Sequence, residues 1–202
     1  MNAIVNISTR ATGILDKIRD ATDFIAPLLL RIFLAPIFIY AGMNKLANAE
    51  NVAFWFASLG IPAPTLSVYM AGTTELVGGI LLLAGLGVRW VVIPLMFTMI
   101  VAAVTAHWEN GWHVLPEKEL AVPWEWRKDL IDEAITRKSA AISLLKKHGD
   151  YDWLTEAGPI TVLKNGIEFA ATYFLLLLVL FYTGAGRYLS IDYWLARKFG
   201  YP

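Results

Sequence analysis

Five ionisable side chains fall within or at the edges of long apolar stretches of this chain: Arg31, Lys45, Glu75, His107 and Glu168. A charge in the hydrocarbon of a bilayer costs at least about 2.5 kcal/mol on insertion scales, so each of them needs a partner or a polar cavity. Glu75 sits near the middle of Leu66 to Leu86. At about 1.5 Å per residue, Arg31 lies roughly 10 Å inside one end of its stretch and Glu75 roughly 16 Å from the same side. A guanidinium can cover that gap. The expected contact is therefore an Arg31–Glu75 ion pair, serving either helix registry or function.

His107 and Glu168 belong to the opposite half. With Glu75 and Lys45 they outline a polar cleft suited to a quinone head group, protons or a metal ion. Imidazole titrates near neutrality and carboxyl groups exchange protons, so Glu75, His107 and Glu168 are the candidate catalytic groups. Arg31, Lys45, Glu75 and His107 are the candidate ligands of the head group. Blander roles compete: a hydrogen bond from His107 to a neighbouring loop, and snorkelling or a helix-to-helix bond for Glu168. The run His107 to His113 also contains potential metal ligands, but a spacing of six across a helix end fixes no coordination geometry, and no metal is expected. Phosphate loops, dinucleotide fingerprints and hydrolase or metalloprotease signatures are absent.

Four stretches are long enough to position these groups across a membrane: about 24–43, 66–86, 88–108 and 162–183. With 57% hydrophobic residues the composition is that of a membrane protein. The expected fold is an all-α integral membrane four-helix bundle, one membrane domain over 1–202, with an additional amphipathic helix in the loop between the third and fourth spans. Gly85 to Arg89 leaves room only for a tight hairpin between the second and third. Pro36 and Pro94 fall inside spans, where neighbouring helices can satisfy the freed carbonyls. Gly72, Gly78 and Gly79 offer surfaces for close helix approach.

Basic residues set the orientation. Arg10, Lys17 and Arg19 precede the first span, Arg89 occupies the hairpin, and Arg187, Arg197 and Lys198 follow the fourth. All of these regions share one side, so both termini are expected in the cytoplasm of a bacterium, with the protein in the inner membrane. Lys+Arg and Asp+Glu are 17 each, so no charge excess points to nucleic acid. Cysteine is absent, which excludes thiol relays, thiolate metal sites and covalent haem attachment by this chain. Neither haem nor flavin is expected. The N-terminus lacks the apolar core and cleavage site of a signal peptide. It reads either as an amphipathic segment at the inner surface, with Ile4, Ile7, Ile14, Leu15 and Ile18 on one side and Arg10, Lys17 and Arg19 snorkelling, or as a loose tail.

The long outer connection, about 109–161, has its own pattern. Pro123 opens a helix, Glu125 and Asp129 suit its first turn, Lys146 and Lys147 its last, and Gly149 caps it. Trp126, Leu130, Ile131, Ala134, Ile135, Ala141, Ile142 and Leu145 recur at helical spacing. Trp108, Trp112, Trp124, Trp126 and Trp153 surround this helix and fit an interfacial aromatic belt better than a substrate platform.

Taken together, these polar positions resemble those of the DoxX family of small four-helix bacterial membrane proteins. The resemblance rests on LLLRIFLAPIFIYAGMNKL with Arg31, Gly42 and Lys45, on TTELVGGILLLAG with Glu75, Gly78 and Gly79, on TAHW with His107, and on GAGRYLSID with Gly184, Gly186, Arg187, Ser190 and Asp192. The long outer insertion departs from the plainer members. The resemblance implies a quinone-interacting subunit of a redox or stress-response complex, with a lipid bilayer, a redox partner protein and further copies of the chain as partners. The alternative it implies is a non-enzymatic scaffold or copper-handling, metal-stress component that docks a partner through the insertion.

Overall fold

The computed structural model describes residues 2–120 and 122–200, with side chains described for 12–119 and 122–200. Among these residues the structure is helical, without strands. The helices are α1 Asn2–Thr22, α2 Ile25–Ala47, α3 Ala49–Ser58, α4 Pro64–Ala84, α5 Val88–Val101, α6 Lys128–His148, α7 Tyr151–Thr155, α8 Glu168–Thr183 and α9 Ile191–Phe199. The α5 helix continues as a π-helical turn, Ala102–His107, and a 3₁₀ turn, Trp108–Asn110. Among the described residues, three segments are long and apolar enough to cross a membrane: Ile25–Ala47, Pro64–Ala84 and Val88–Asn110.

The fourth expected span is shorter than its apolar stretch. The α8 helix has 16 residues, about 24 Å against roughly 30 Å of hydrocarbon. It starts at Glu168 rather than Val162 because the chain before it is committed elsewhere. Asn165 adopts a positive φ of 61°. Its neighbours pair with another loop: Lys164 N donates to Val114 O at 2.9 Å, Gly166 N to His113 O at 3.0 Å and Ile167 N to Gly111 O at 2.9 Å. A Cβ on Gly166 would stand 2.5 Å from the carbonyl oxygens of Gly111 and Trp112, so only glycine permits this approach.

The chain divides into two compact units, Met1–Phe97 with Leu175–Pro202, and Thr98–Phe174. In the first, α2 buries Pro27, Arg31, Leu34, Ala35, Phe38 and Gly42, one helical face at spacings of three and four. That face meets α4 backbone to backbone. A Cβ on Gly42 would lie 2.6 Å from Gly72 O, and one on Gly79 would lie 2.9 Å from Ile39 N and 3.0 Å from Ala35 O. Gly78 turns to the other side, where its Cβ would meet Leu95 of α5 at 3.0 Å. Small residues thus set the α2–α4 register, as expected of membrane helices.

The α4–α5 turn is closed from two directions. Gly85, at φ 67°, ends α4 with Gly85 N bonding Leu82 O and Leu86 N bonding Leu81 O, a Schellman arrangement. Asp192 then accepts from Gly87 N at 2.7 Å and Val88 N at 3.1 Å, capping α5 from the far end of the sequence.

At the N-terminus α1 is helical, with Ile14, Leu15 and Ile18 exposed; the side chains of Ile4, Ile7 and Arg10 lie outside the described residues. In the second unit the insertion helix α6 ends as expected, with Gly149 N bonding Leu145 O at 2.8 Å. Its start differs. The helix begins at Lys128, leaving Trp126 outside it and Glu125 buried in the preceding loop rather than in a first turn.

Candidate functional site

The expected Arg31–Glu75 pair does not form. Arg31 Nε donates to Leu82 O at 2.8 Å, Nη1 to Ala185 O at 2.6 Å, and Nη2 to Leu83 O and Leu189 O at 3.0 Å each. Two of these acceptors belong to the last turn of α4, whose carbonyls have no partners within the helix. A cation is favourable there, at the negative end of the helix dipole. The reason lies in register. With Gly42 facing Gly72 and Gly79 facing Ala35 and Ile39, Arg31 stands opposite the end of α4, about 10 Å beyond Glu75.

Glu75 pairs instead with Lys45, from the last turn of α2, whose Nζ donates to Glu75 Oε2 at 2.6 Å. The carboxylate side chain is 4% exposed and the lysine 22%. Gly72 makes room for the lysine stem, since a Cβ there would stand 3.3 Å from Lys45 Cβ. Of the four expected head-group ligands, the first unit brings two together and gives Arg31 a separate, structural place. What remains is a compact acid–ammonium pair on a membrane-length helix. It can hold a proton in either partner and offer the unused N–H donors of Lys45 to an acceptor.

His107 and Glu168 lie in the second unit, each engaged with a loop. His107 Nδ1 meets Asn165 O at 2.9 Å, the neighbouring-loop hydrogen bond anticipated from the sequence, and Asn110 Nδ2 donates to the same oxygen at 3.3 Å. Glu168 is the first residue of α8, not inside a span beginning at 162, and accepts from Val114 N at 3.0 Å. His113 does not join His107 around a common point. Its Nε2 accepts from Val122 N at 3.0 Å, and its Nδ1 is 3.9 Å from Glu168 Oε2. Among the described residues no three His, Asp or Glu side chains converge as a metal site would require.

The most completely built polar cluster was not singled out by the sequence. Glu125 accepts from Lys164 Nζ at 2.5 Å, Arg127 N at 2.8 Å, His113 N at 3.0 Å and Trp112 N at 3.2 Å. The two side chains are 0% and 2% exposed. Burial works to raise the carboxyl pKa, but the Lys164 bond and the three backbone amides prevail and bring it down to about 2. Gly111, at φ 80°, completes the nest: a Cβ there would press on the Glu125 carboxylate and stand 2.7 Å from Lys164 Nζ. A lone Glu between two tryptophans carries no local sign of a lysine 39 residues away.

The helices and the buried ion pair on α4 define an all-α, multi-pass membrane protein whose apolar helices contact lipid. The DoxX family model matches residues 26–108, and over that stretch the chain is similar to the DoxX family. The matched segment contains Arg31, Lys45, Glu75 and His107, whereas Glu125, Lys164 and Glu168 lie beyond it. The chain is also similar to a Bacillus subtilis (strain 168) protein named "Putative oxidoreductase CatD", with 35% identity over 81 residues. That similarity covers 40% of this chain and 59% of the relative. No solved structure matches this chain.

Proposed function

We propose that this protein is the quinone-interacting membrane subunit of a redox complex, with the Lys45–Glu75 pair serving the quinone head group. The pair itself carries the reading: an acid and an ammonium 2.6 Å apart, buried on the α4 side and partly open on the α2 side. The fit is chemical. A lysine ammonium has three donors, and one is spent on Glu75; a quinone presents carbonyl acceptors. When bound, a quinone supplies two-electron, two-proton redox chemistry. Lys45 would hold a head-group oxygen and Glu75 would hold or release a proton. The name of the similar Bacillus subtilis protein supports the redox class.

The chain has no cysteine, so its own thiols are not the electron source and a partner protein or soluble donor supplies the electrons. The distribution of Lys and Arg supports the bacterial inner membrane with both termini in the cytoplasm. A separate observation favours a second reading: residues 98–174 form a compact unit with its own buried ion pair. That suits a scaffold or metal-stress component which docks a partner through the insertion.

The test is quinone titration of the full chain in lipid nanodiscs, followed by tryptophan quenching and thermal protection. The reading expects saturable binding, weakened at least about tenfold by Lys45→Met as the loss of one charged hydrogen bond. Glu75→Gln should abolish the proton-coupled step while binding persists. Absence of saturable quinone binding would overturn it, and loss of a co-purifying protein on removal of 124–148 would favour the scaffold.

A further inference from the structure

Helix α9 is fastened firmly on one face and uncovered on the other. Ser190 caps it, accepting from Tyr193 N at 3.3 Å and donating to Gly186 O at 2.6 Å. Asp192 ties its first turn to the α4–α5 turn through Gly87 N and Val88 N, and Asp192 N donates to Gly85 O at 2.9 Å. The preceding loop supplies Ala185 O and Leu189 O to Arg31. Backbone and carboxylate bonds therefore hold the helix at the end of two membrane-length helices.

Among the described residues nothing covers its other face. Ile191, Trp194, Leu195 and Phe199 are all exposed, and at 100° per residue they fall on one side. Tyr193 and Ala196 point the other way and are partly buried. Arg197 lies at the edge of the apolar stripe and Lys198 on the stripe near its C-terminal end. Arg197 lies over the Trp194 ring at 5.7 Å and Lys198 over Phe199 at 5.5 Å, distances typical of cation–π contacts. Next to the turn that Asp192 clips are Arg89 and Trp90, both exposed. This arrangement, apolar and aromatic residues on one side with long-stemmed cations beside and among them that can snorkel to the phosphates, is that of a helix lying in the plane of a membrane interface.

We propose that α9 is an interfacial anchor for anionic phospholipid, its Ile191–Trp194–Leu195–Phe199 face set among the upper acyl chains and Arg197, Lys198 and Arg89 meeting the lipid phosphates. Two observations select lipid as the occupant. The helix is tied to the turn that ends two membrane-length helices, and its charge complements an anionic leaflet. The proposal stands on the membrane reading alone and is independent of the quinone site. Through Asp192 and the Arg31 carbonyls, the anchor also connects the bilayer surface to the α2–α4 core.

The full chain lacks cysteine, so a single Leu195→Cys carries one spin label without background. In nanodiscs of phosphatidylcholine with added phosphatidylglycerol, the label should collide with a water-soluble nickel chelate at least about fivefold less than the free label does in buffer. By native mass spectrometry the protein should retain phosphatidylglycerol over phosphatidylcholine. Arg197→Gln with Lys198→Gln, both at exposed positions, should cut that preference at least about fivefold with thermal stability unchanged. A label as accessible to nickel as in buffer overturns the proposal and leaves the face to a protein partner. An undiminished lipid preference in the double variant overturns it as well, as does displacement of the lipid by inorganic phosphate at equal concentration, which would mark a site for free phosphate.

Discussion

Replacing Glu125 by Gln tests whether the insertion is held together by one buried ion pair. The substitution keeps the shape and removes the charge opposite Lys164 Nζ, 2.5 Å away and 2% exposed. A lysine buried without its counterion, beside amides that have lost part of their acceptor, is the case in which breaking a pair costs about 3–5 kcal/mol. Titration leads to a similar figure. A carboxyl whose pKa falls from 4.5 to about 2 on folding contributes about 3 kcal/mol at roughly 1.4 kcal/mol per pH unit, reduced to about 2 kcal/mol where solvent reaches the loop. Because the folded value is the lower one, this stability is complete above the unfolded pKa and is lost as pH falls from about 4.5 through about 2. Hydrogen exchange of the full chain in nanodiscs reads it directly. In Glu125→Gln the amides of Trp112, His113 and Arg127 should exchange about 30- to 150-fold faster near neutral pH. The acid-induced loss of protection between about pH 4.5 and 2 should disappear. Glu125→Gln with Lys164→Met leaves no unpaired charge and should recover part of the protection. Exchange at those amides within about threefold of wild type, or a double variant worse than the single, would refute the reasoning.

Other consequences can be measured in the same preparation. Arg31→Lys keeps the charge but cannot reach four carbonyls with one ammonium, and should cost about 2 kcal/mol of thermal stability in detergent, with Arg31→Met costing more. Gly85→Ala and Gly87→Ala share a positive φ, but the Cβ at 85 would stand 2.7 Å from Arg31 Cζ while that at 87 meets nothing within 4 Å. Gly87→Ala should therefore cost about 1 kcal/mol and Gly85→Ala at least about twice that. Asp192→Asn retains one good acceptor for Gly87 and Val88 and should lower stability by about 1 kcal/mol, measured by thermal unfolding, an effect reduced by salt. Gly42→Leu drives a side chain into the α4 backbone and should prevent a properly packed α2–α4 pair, seen as protease sensitivity at neutral pH.

Local properties of the sequence determined much of this protein. The lengths of α2, α4 and α5, the tight turn at Gly85–Gly87 and the C-terminal end of α6 all follow from hydropathy, periodicity and the conformational needs of glycine. The glycines of α4 announced close packing, and His107 was correctly expected to bond a neighbouring loop. Choice of partner is a different matter. Arg31 and Glu75 were matched by depth alone, but depth does not specify the longitudinal register of two antiparallel helices. That register comes from Gly42 against Gly72 and Gly79 against Ala35 and Ile39, and it gives Arg31 to the carbonyls ending α4 and Glu75 to Lys45. Likewise, residues 162–167 were counted with the span that follows them, but they stay outside α8 because the amides of Lys164 to Ile167 bond the 111–114 loop. Glu125 finds Lys164 only once that segment is in place. The sequence decided which stretches enter the membrane and which side chains carry charge there; the tertiary structure decided which charges meet, because a contact of a few ångströms depends on how distant backbones pack.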